Sequence, residues 1–379
     1  PTKIFKTYGT GEGVSDLVTL SSLTGDLVVL NNIENSLLLE ADMGDPSSLI
    51  LKVCADGSSV TDIILSSLPE DKAVDYQIMI KEDPNSEDVY HYGVLELFSS
   101  TSTTATYRYT HPLSVDSEEK FRRIYFRIIN VNNPDEDLFL QPVNIYRTPL
   151  IMVHGLWSNR DAFFDMQSSL SRNYLPNDLI LSLDYRGSNS NSFYFNKDVV
   201  GNGITSLLQS AIEKKYSAGK VNVAAHSMGG VLTRFYIQNS GYRNDISRFI
   251  TFNTPHSGSQ MANLLIDYPT LGTLFTKATG NICTNGAVED LMVNSYATLE
   301  LLNGDANINR NIVPSRVMIT TSTLDDLTGW TKITGTDTIS LNAGTSPDGT
   351  SNGINLIPST ANGTHMFYDG STSVASSGN

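Results

Sequence analysis

Val221-Asn222-Val223-Ala224-Ala225-His226-Ser227-Met228-Gly229-Gly230-Val231-Leu232 is the stretch from which the rest of the chain can be read. Val221–Ala225 is a short apolar run, the pattern of a strand buried on both faces. Met228–Gln238 follows with the composition and spacing of a helix. A serine thus stands at the apex of a strand-to-helix turn. A serine oxygen that attacks a carbonyl needs that exposure, and its neighbours must be small because strand and helix approach closely there. The usual pattern is G-x-S-x-G; here Ala225 replaces the first glycine and Gly229 keeps the second. The helix start also aims backbone N–H groups at developing negative charge. Ser227 is therefore the expected nucleophile and the Met228 N–H one expected oxyanion donor. The plainer alternative is a glycine-rich turn that only packs well, and its place between a clear strand and a clear helix speaks against that.

Upstream, Leu150-Ile151-Met152-Val153-His154-Gly155-Leu156-Trp157 is a second buried strand, ending in His-Gly. Gly155 lets the chain turn close to a bound substrate, so the Leu156 N–H is the second expected donor. Between and beyond these strands the chain alternates. A helix is expected at 160–172, a strand at 179–185, a long helix at 199–216 and a strand at 248–252. Strand-helix alternation implies a mostly parallel sheet covered by helices on both faces, with any site along one edge. From about 258 to 312 no strand is expected. Helical patterns at 261–266 and 288–302 mark a lid-like insertion whose Leu264, Leu265, Leu271, Leu274, Phe275 and Leu291 would line an acyl pocket or cover the core. A last strand is expected at 316–321.

Before residue 147 the rhythm differs. Short apolar or alternating runs at 27–30, 37–40, 49–53, 63–65, 76–80, 93–98, 104–109, 121–129 and 138–145 are separated by turn clusters such as Ala55-Asp56-Gly57-Ser58-Ser59. Regular short strands with few helical stretches read as a β-sandwich. The expected organisation is an accessory β-sandwich over 1–146 and a catalytic α/β domain over 147–379.

His154-Gly155-Leu156, Ala225-His226-Ser227-Met228-Gly229-Gly230, Phe252-Asn253-Thr254-Pro255-His256-Ser257-Gly258-Ser259, and Asp290-Leu291 with Ser295 and Leu301-Leu302-Asn303 resemble bacterial lipases and esterases of the α/β-hydrolase superfamily. The resemblance runs from about 148 to 365. It implies an α/β-hydrolase domain and a triad in the chain order serine, acid, histidine. Of the six histidines, only His256 and His365 follow the nucleophile beyond its own turn. His256 leaves the sheet directly after the next strand, too early for an acid to precede it, so His365, in a glycine-flanked late loop, is the expected base. The acid should follow the last strand, where Asp325, Asp326, Asp337 and Asp348 are candidates. Asp348-Gly349 with Ile357-Pro358-Ser359 resembles the segment around the lipase acid, and Asp348 is favoured on that ground.

The function implied is carboxylic ester hydrolysis through an acyl-enzyme, with a small-molecule or lipid ester as substrate and the insertion as a contact to a lipid interface. Acyltransferase, thioesterase and amidase chemistry share the same machinery, and a non-catalytic surface binder on a hydrolase scaffold is the reading of another class. No cofactor or metal is expected. Cys54 and Cys283 form no metal-binding spacing, and are expected either to pair or to remain as buried thiols. A formal net charge of −15 disfavours a nucleic-acid partner, and no apolar run is long enough for a transmembrane segment. Richness in Ser, Thr, Asn and Gly with little Lys points to an extracellular or cell-surface protein.

Overall fold

The computed structural model describes residues 16–20, 28–32, 37–41, 49–65, 75–82, 92–102, 104–115, 121–135, 139–214, 216–283, 285–302, 312–320, 339–341, 354–356 and 365–368. The chain divides into two compact units. One comprises Pro1–Pro149 with Leu170–Leu179 and Leu208–Val221; the other comprises Leu150–Ser169, Ile180–Leu207 and Asn222–Asn379.

Among the described residues ten strands precede residue 148. They are β1 (Asp16–Leu20), β2 (Val28–Asn32), β3 (Leu37–Ala41), β4 (Leu49–Ala55), β5 (Val60–Leu65), β6 (Tyr76–Glu82), β7 (Val94–Ser100), β8 (Ala105–Thr110), β9 (Phe121–Asn130) and β10 (Phe139–Arg147). They form two five-stranded sheets, ordered β1-β2-β5-β8-β7 and β3-β4-β10-β9-β6. The period-2 pattern explains the pairing: along β8, Ala105, Tyr107 and Tyr109 are buried and the residues between them are not. Their side chains join Ile63 and Leu65 of β5 in one apolar cluster with Leu51 and Val53 of β4, Phe126 of β9 and Ile145 of β10. Both sheets thus contribute to a single core. Cys54 is buried and unpaired, as is Cys283.

From Leu150 onward strands and helices alternate: β11 (Leu150–Val153), α1 (Phe164–Asn173), β12 (Ile180–Leu183), α2 (Val199–Glu213), β13 (Val221–His226), α3 (Met228–Gln238) and β14 (Ile246–Phe252). Three helices follow, α4 (Gln260–Asp267), α5 (Pro269–Thr279) and α6 (Gly286–Asp290), then a π-helical turn over Ala297–Leu302 and β15 (Ser315–Thr320). Short strands β16 (Ile339–Leu341) and β17 (Ile354–Leu356) pair antiparallel, and β18 (His365–Tyr368) is the last described strand. The main sheet has the order β12-β11-β13-β14-β15-β18. β11 pairs in parallel with both β12 and β13, and β14 with β15; β18 runs antiparallel to β15. The continuous apolar runs are explained by burial: Ile151, Met152, Val153, Val221 and Ala225 are wholly inaccessible.

β1, β16, β17 and β18 were not expected, and His365, expected in a late loop, instead opens β18 because it pairs with Thr320 of β15. Three further elements also differ. The helix expected over 288–302 is broken, because the Ser295 and Thr298 hydroxyls donate to the Asp290 carbonyl (2.6 and 3.1 Å) and divert it from the helical ladder. Between the two helical patterns lies α5, opened by Pro269 in its first turn and closed by Gly280 in the left-handed conformation (φ 76°). The helix expected to open this half begins instead as a 3₁₀ turn, Arg160–Phe163, capped by the Asn159 side chain.

Candidate active site

The strand order places the site. After β11 the chain crosses to β12 on one side and then returns to place β13 on the other. The carboxyl ends of β11 and β13 therefore flank a topological switch point, where open parallel sheets leave a crevice for a ligand. His154-Gly155-Leu156 follows β11, and Ser227 follows β13.

Ser227 has φ 53° and ψ −128°, a conformation that L-residues seldom adopt. Its N–H donates to the Phe252 carbonyl at the end of β14 (2.9 Å), and its carbonyl accepts from the Gly230 N–H (3.0 Å). With the Ser227 N–H so engaged, Met228 offers the first N–H of α3, one of the groups a helix start leaves without an internal partner. Four non-glycine residues among those described have positive φ: Trp157, Ser227, Asn244 and Asn253. Three of them lie just beyond the carboxyl ends of β11, β13 and β14. Strain of this kind costs about 1–3 kcal/mol per residue and persists where the surroundings over-determine it.

The glycines show how tightly the turns meet. A Cβ on Gly155 would stand 2.8 Å from Ser227 Cβ and 3.2 Å from Ser227 Oγ, so the turn carrying Leu156 abuts the Ser227 side chain. A Cβ on Gly229 would stand 2.3 Å from the Val153 carbonyl oxygen and 2.5 Å from that of His154. A Cβ on Gly230 would meet Thr254 Oγ1 at 2.2 Å. Small residues are thus needed after the serine, while Ala225, wholly buried in β13, is tolerated before it.

His154 is a brace. Its ring is fully buried and stacks on Tyr185 (centroids 4.2 Å apart, planes 14° apart). The Tyr185 N–H donates to Nε2 (3.3 Å), so the ring proton sits on Nδ1, which donates to the Gly155 carbonyl (2.9 Å). The Tyr185 hydroxyl donates to the His154 carbonyl. Burial lowers the His154 pKa, which keeps the ring neutral and this tautomer fixed. His256 is likewise buried. Arg234 approaches its Nδ1 (3.4 Å) and donates to its carbonyl (3.0 Å), and Nε2 pairs with Thr251 Oγ1 (3.1 Å). Burial, and then the Arg234 charge, push its pKa well down.

His365 opens β18 opposite Thr320, the last residue of β15. Its backbone lies on the sheet edge reached by the carboxyl ends of the parallel strands, with β14 and β15 between β18 and β13. At ~4.8 Å per strand that is about 14 Å of backbone separation. Asp325, Asp326, Asp337 and Asp348 lie outside the described residues. The structure thus brings together Ser227, Met228 and the Leu156 turn, and puts the His365 backbone on their edge. Tyr185, which locks the His-Gly turn, was not singled out from sequence; a lone tyrosine after an edge strand carries no signal of that role. Among the described residues no cluster of three metal-binding side chains occurs, and no helix is long and apolar enough to cross a membrane.

Residues 149–287, little over a third of the chain, match the family model "Putative serine esterase (DUF676)". Over 57 residues, 15% of this chain and 18% of the relative, the sequence is 46% identical to triacylglycerol lipase 2 of Saccharomyces cerevisiae. The mature form of the lipase BlEst2 of Bacillus licheniformis aligns over 44% of this chain and 63% of its own, at 21% identity and a TM-score of 0.34. Phospholipase PlaB of Legionella pneumophila aligns over 45% of this chain and 38% of its own, at 17% identity and a TM-score of 0.32. The chain therefore spans under a fifth of the yeast relative and under two thirds of the Bacillus protein. The segment that matches the serine-esterase model is the one that carries the parallel strands β11 and β13 and the strand–serine–helix turn.

Proposed function

We propose that the chain is a carboxylic ester hydrolase of the lipase or esterase type, with Ser227 as nucleophile. The observation that carries this reading is the strained Ser227 backbone at the strand–helix turn, with the His-Gly turn packed against its side chain. Ser227 Oγ, deprotonated by His365, attacks the ester carbonyl. The Leu156 and Met228 N–H groups receive the oxyanion, the alcohol leaves with the proton held by His365, and water releases the acid from the acyl-enzyme. Asp348 is the acid that orients His365. The serine-esterase family match over 149–287 and the lipase relative in yeast support this chemistry.

The same reading extends to the rest of the chain. Residues 1–146, with two sheets contributing to one core, form an accessory β-sandwich, and 147–379 form the catalytic domain. The insertion near 258–312 acts as a lid that meets a lipid interface. Met261, Leu264, Leu271 and Leu274 on α4 and α5 are exposed, more apolar surface than a helix pair in water gains by showing. An extracellular or cell-surface location fits the composition. The test is labelling by a fluorophosphonate, with turnover of p-nitrophenyl esters by the Ser227→Ala variant. Labelling at Ser227 and a fall in kcat on the order of 10³–10⁶ are expected. A folded Ser227→Ala variant that turns over normally defeats the proposal.

A further inference from the structure

Trp157 directly follows the Leu156 donor and carries two unfavourable features. Its φ is 57°, which is uncommon for any residue but glycine and costly for a bulky one. Its indole Nε1 is buried with no hydrogen-bond partner among the described residues. A buried donor left unpaired costs about 1–3 kcal/mol. A residue kept under both penalties must be held by its surroundings.

Those surroundings are visible. The Trp157 ring packs on Phe275 of α5, with centroids 5.2 Å apart and planes inclined by 37°. On the following residue, the Ser158 carbonyl accepts from Asn189 Nδ2 (3.1 Å), and Asn189 is itself buried. On the preceding side Gly155 abuts Ser227. The Leu156 peptide thus hangs between a fixed point at the nucleophile and a ring contact with the helical insertion. Phe275 lies on α5 among Leu271 and Leu274, which are exposed, so any group that lodges against α5 bears on the helix that holds Trp157.

We propose that Trp157 is a positioning residue: through its contact with Phe275, α5 sets the turn that presents the Leu156 N–H to the oxyanion. The inference rests on the ester-hydrolase reading of Ser227 and Leu156 and adds to it the element that tunes the donor. A donor displaced by a fraction of an ångström loses transition-state stabilisation while ground-state binding of a small ester hardly changes.

The experiment uses the full chain and four forms: parent, Phe275→Ala, Phe275→Tyr and Trp157→Phe. Active sites are counted by phosphonate titration. Then kcat per titrated site and KM are measured on p-nitrophenyl acetate, whose two-carbon acyl group limits direct contact with α5. Affinity for a trifluoromethyl ketone, which mimics the tetrahedral adduct, is measured alongside. Phe275→Ala should titrate one site per chain, lose about tenfold in kcat with KM within twofold, and bind the ketone about tenfold more weakly. Phe275→Tyr, which keeps the ring, should restore kcat to within twofold, and Trp157→Phe should fall between. If Phe275→Ala does not fold, Phe275→Leu, which keeps bulk without the ring, takes its place with the same expectation. Unchanged kcat per site in the ring-deleted form, or a change confined to KM, overturns the positioning role while Ser227 labelling leaves the hydrolase reading standing. No phosphonate labelling in the parent overturns both.

Discussion

Gly229→Ala tests the geometry of the Ser227 turn at its tightest point. The added methyl would lie 2.3 Å from the Val153 carbonyl oxygen and 2.5 Å from that of His154, where real Cβ atoms essentially never come within 3.0 Å. Both obstacles are backbone at the end of β11, so no side chain can swing away. Either the start of α3 or the end of β11 must move by roughly 0.7 Å, and a displacement near 1 Å at reacting groups costs on the order of 10²-fold. Overpacking of this kind costs about 1–3 kcal/mol in stability. The assay pairs urea denaturation with kcat per phosphonate-titrated site. Gly187→Ala is the control, since a Cβ there meets nothing within 4 Å, and it should stay within about 0.5 kcal/mol of the parent. Gly229→Ala with parental stability and parental kcat would refute the claim that β11 and α3 meet as closely as described.

Asp348→Asn should lower kcat by roughly 10⁴ through the wrong His365 tautomer, measured on p-nitrophenyl butyrate; a harmless Asp348→Asn beside a damaging Asp325→Asn or Asp326→Asn moves the acid. Burial pushes the His111 pKa down from 6.5 to about 4, and its ring bonds to Thr61 Oγ1 and the Cys54 carbonyl. The unfolded chain therefore binds the proton first, and stability should fall as pH drops from 6.5 toward 4, by about 3 kcal/mol at most. Denaturation of His111→Gln across that range should show a shallower loss than the parent, and equal slopes would refute it. Leu274→Ser, at an exposed site on α5, should lower turnover of an emulsified triacylglycerol severalfold and leave p-nitrophenyl acetate within twofold; equal effects on both would count against interfacial contact.

How much of this was legible in the sequence depends on how local the signal is. Helix α3 over Met228–Gln238 agrees with the expectation to the residue, because the strand run, the serine and the double glycine are contiguous. The buried strands β11 and β13 were legible from short apolar runs, unbroken in β11 and interrupted in β13 by Asn222. Most strands before residue 148 were found to within two residues or so, but β1 was not, and sheet membership was not: the parallel pairing of β10 with β4 joins segments some ninety residues apart and leaves no local trace. The break between α6 and the π-helical turn was illegible because it depends on where two hydroxyls point. In the site, the strand–Ser227–helix turn and the two glycine turns were readable from motif. Tyr185 was not, because its contacts to His154 depend on β12 lying beside β11.

One physical demand ties these observations together. At the carboxyl edge of the sheet the chain must turn sharply three times, after β11, β13 and β14, while α3 starts against the first of those turns. Close approach is met with glycine where the obstacle is backbone, as at Gly229, and sharp turning is met with strained residues, as at Trp157, Ser227 and Asn253. Glycine at 227 would relieve the strain but remove the oxygen. The hydrogen bonds from Ser227 N–H to Phe252 and from Gly230 N–H to Ser227 hold the strained turn in place, and on the proposed reading the strain is tolerated because the hydroxyl is needed. The same accounting separates His154 from a catalytic histidine. Both its ring nitrogens are engaged and its ring is stacked and buried, so no proton on it is free to travel to or from a substrate. Under the proposed reading the base for Ser227 comes from elsewhere on that edge, where the antiparallel return of β18 places the His365 backbone.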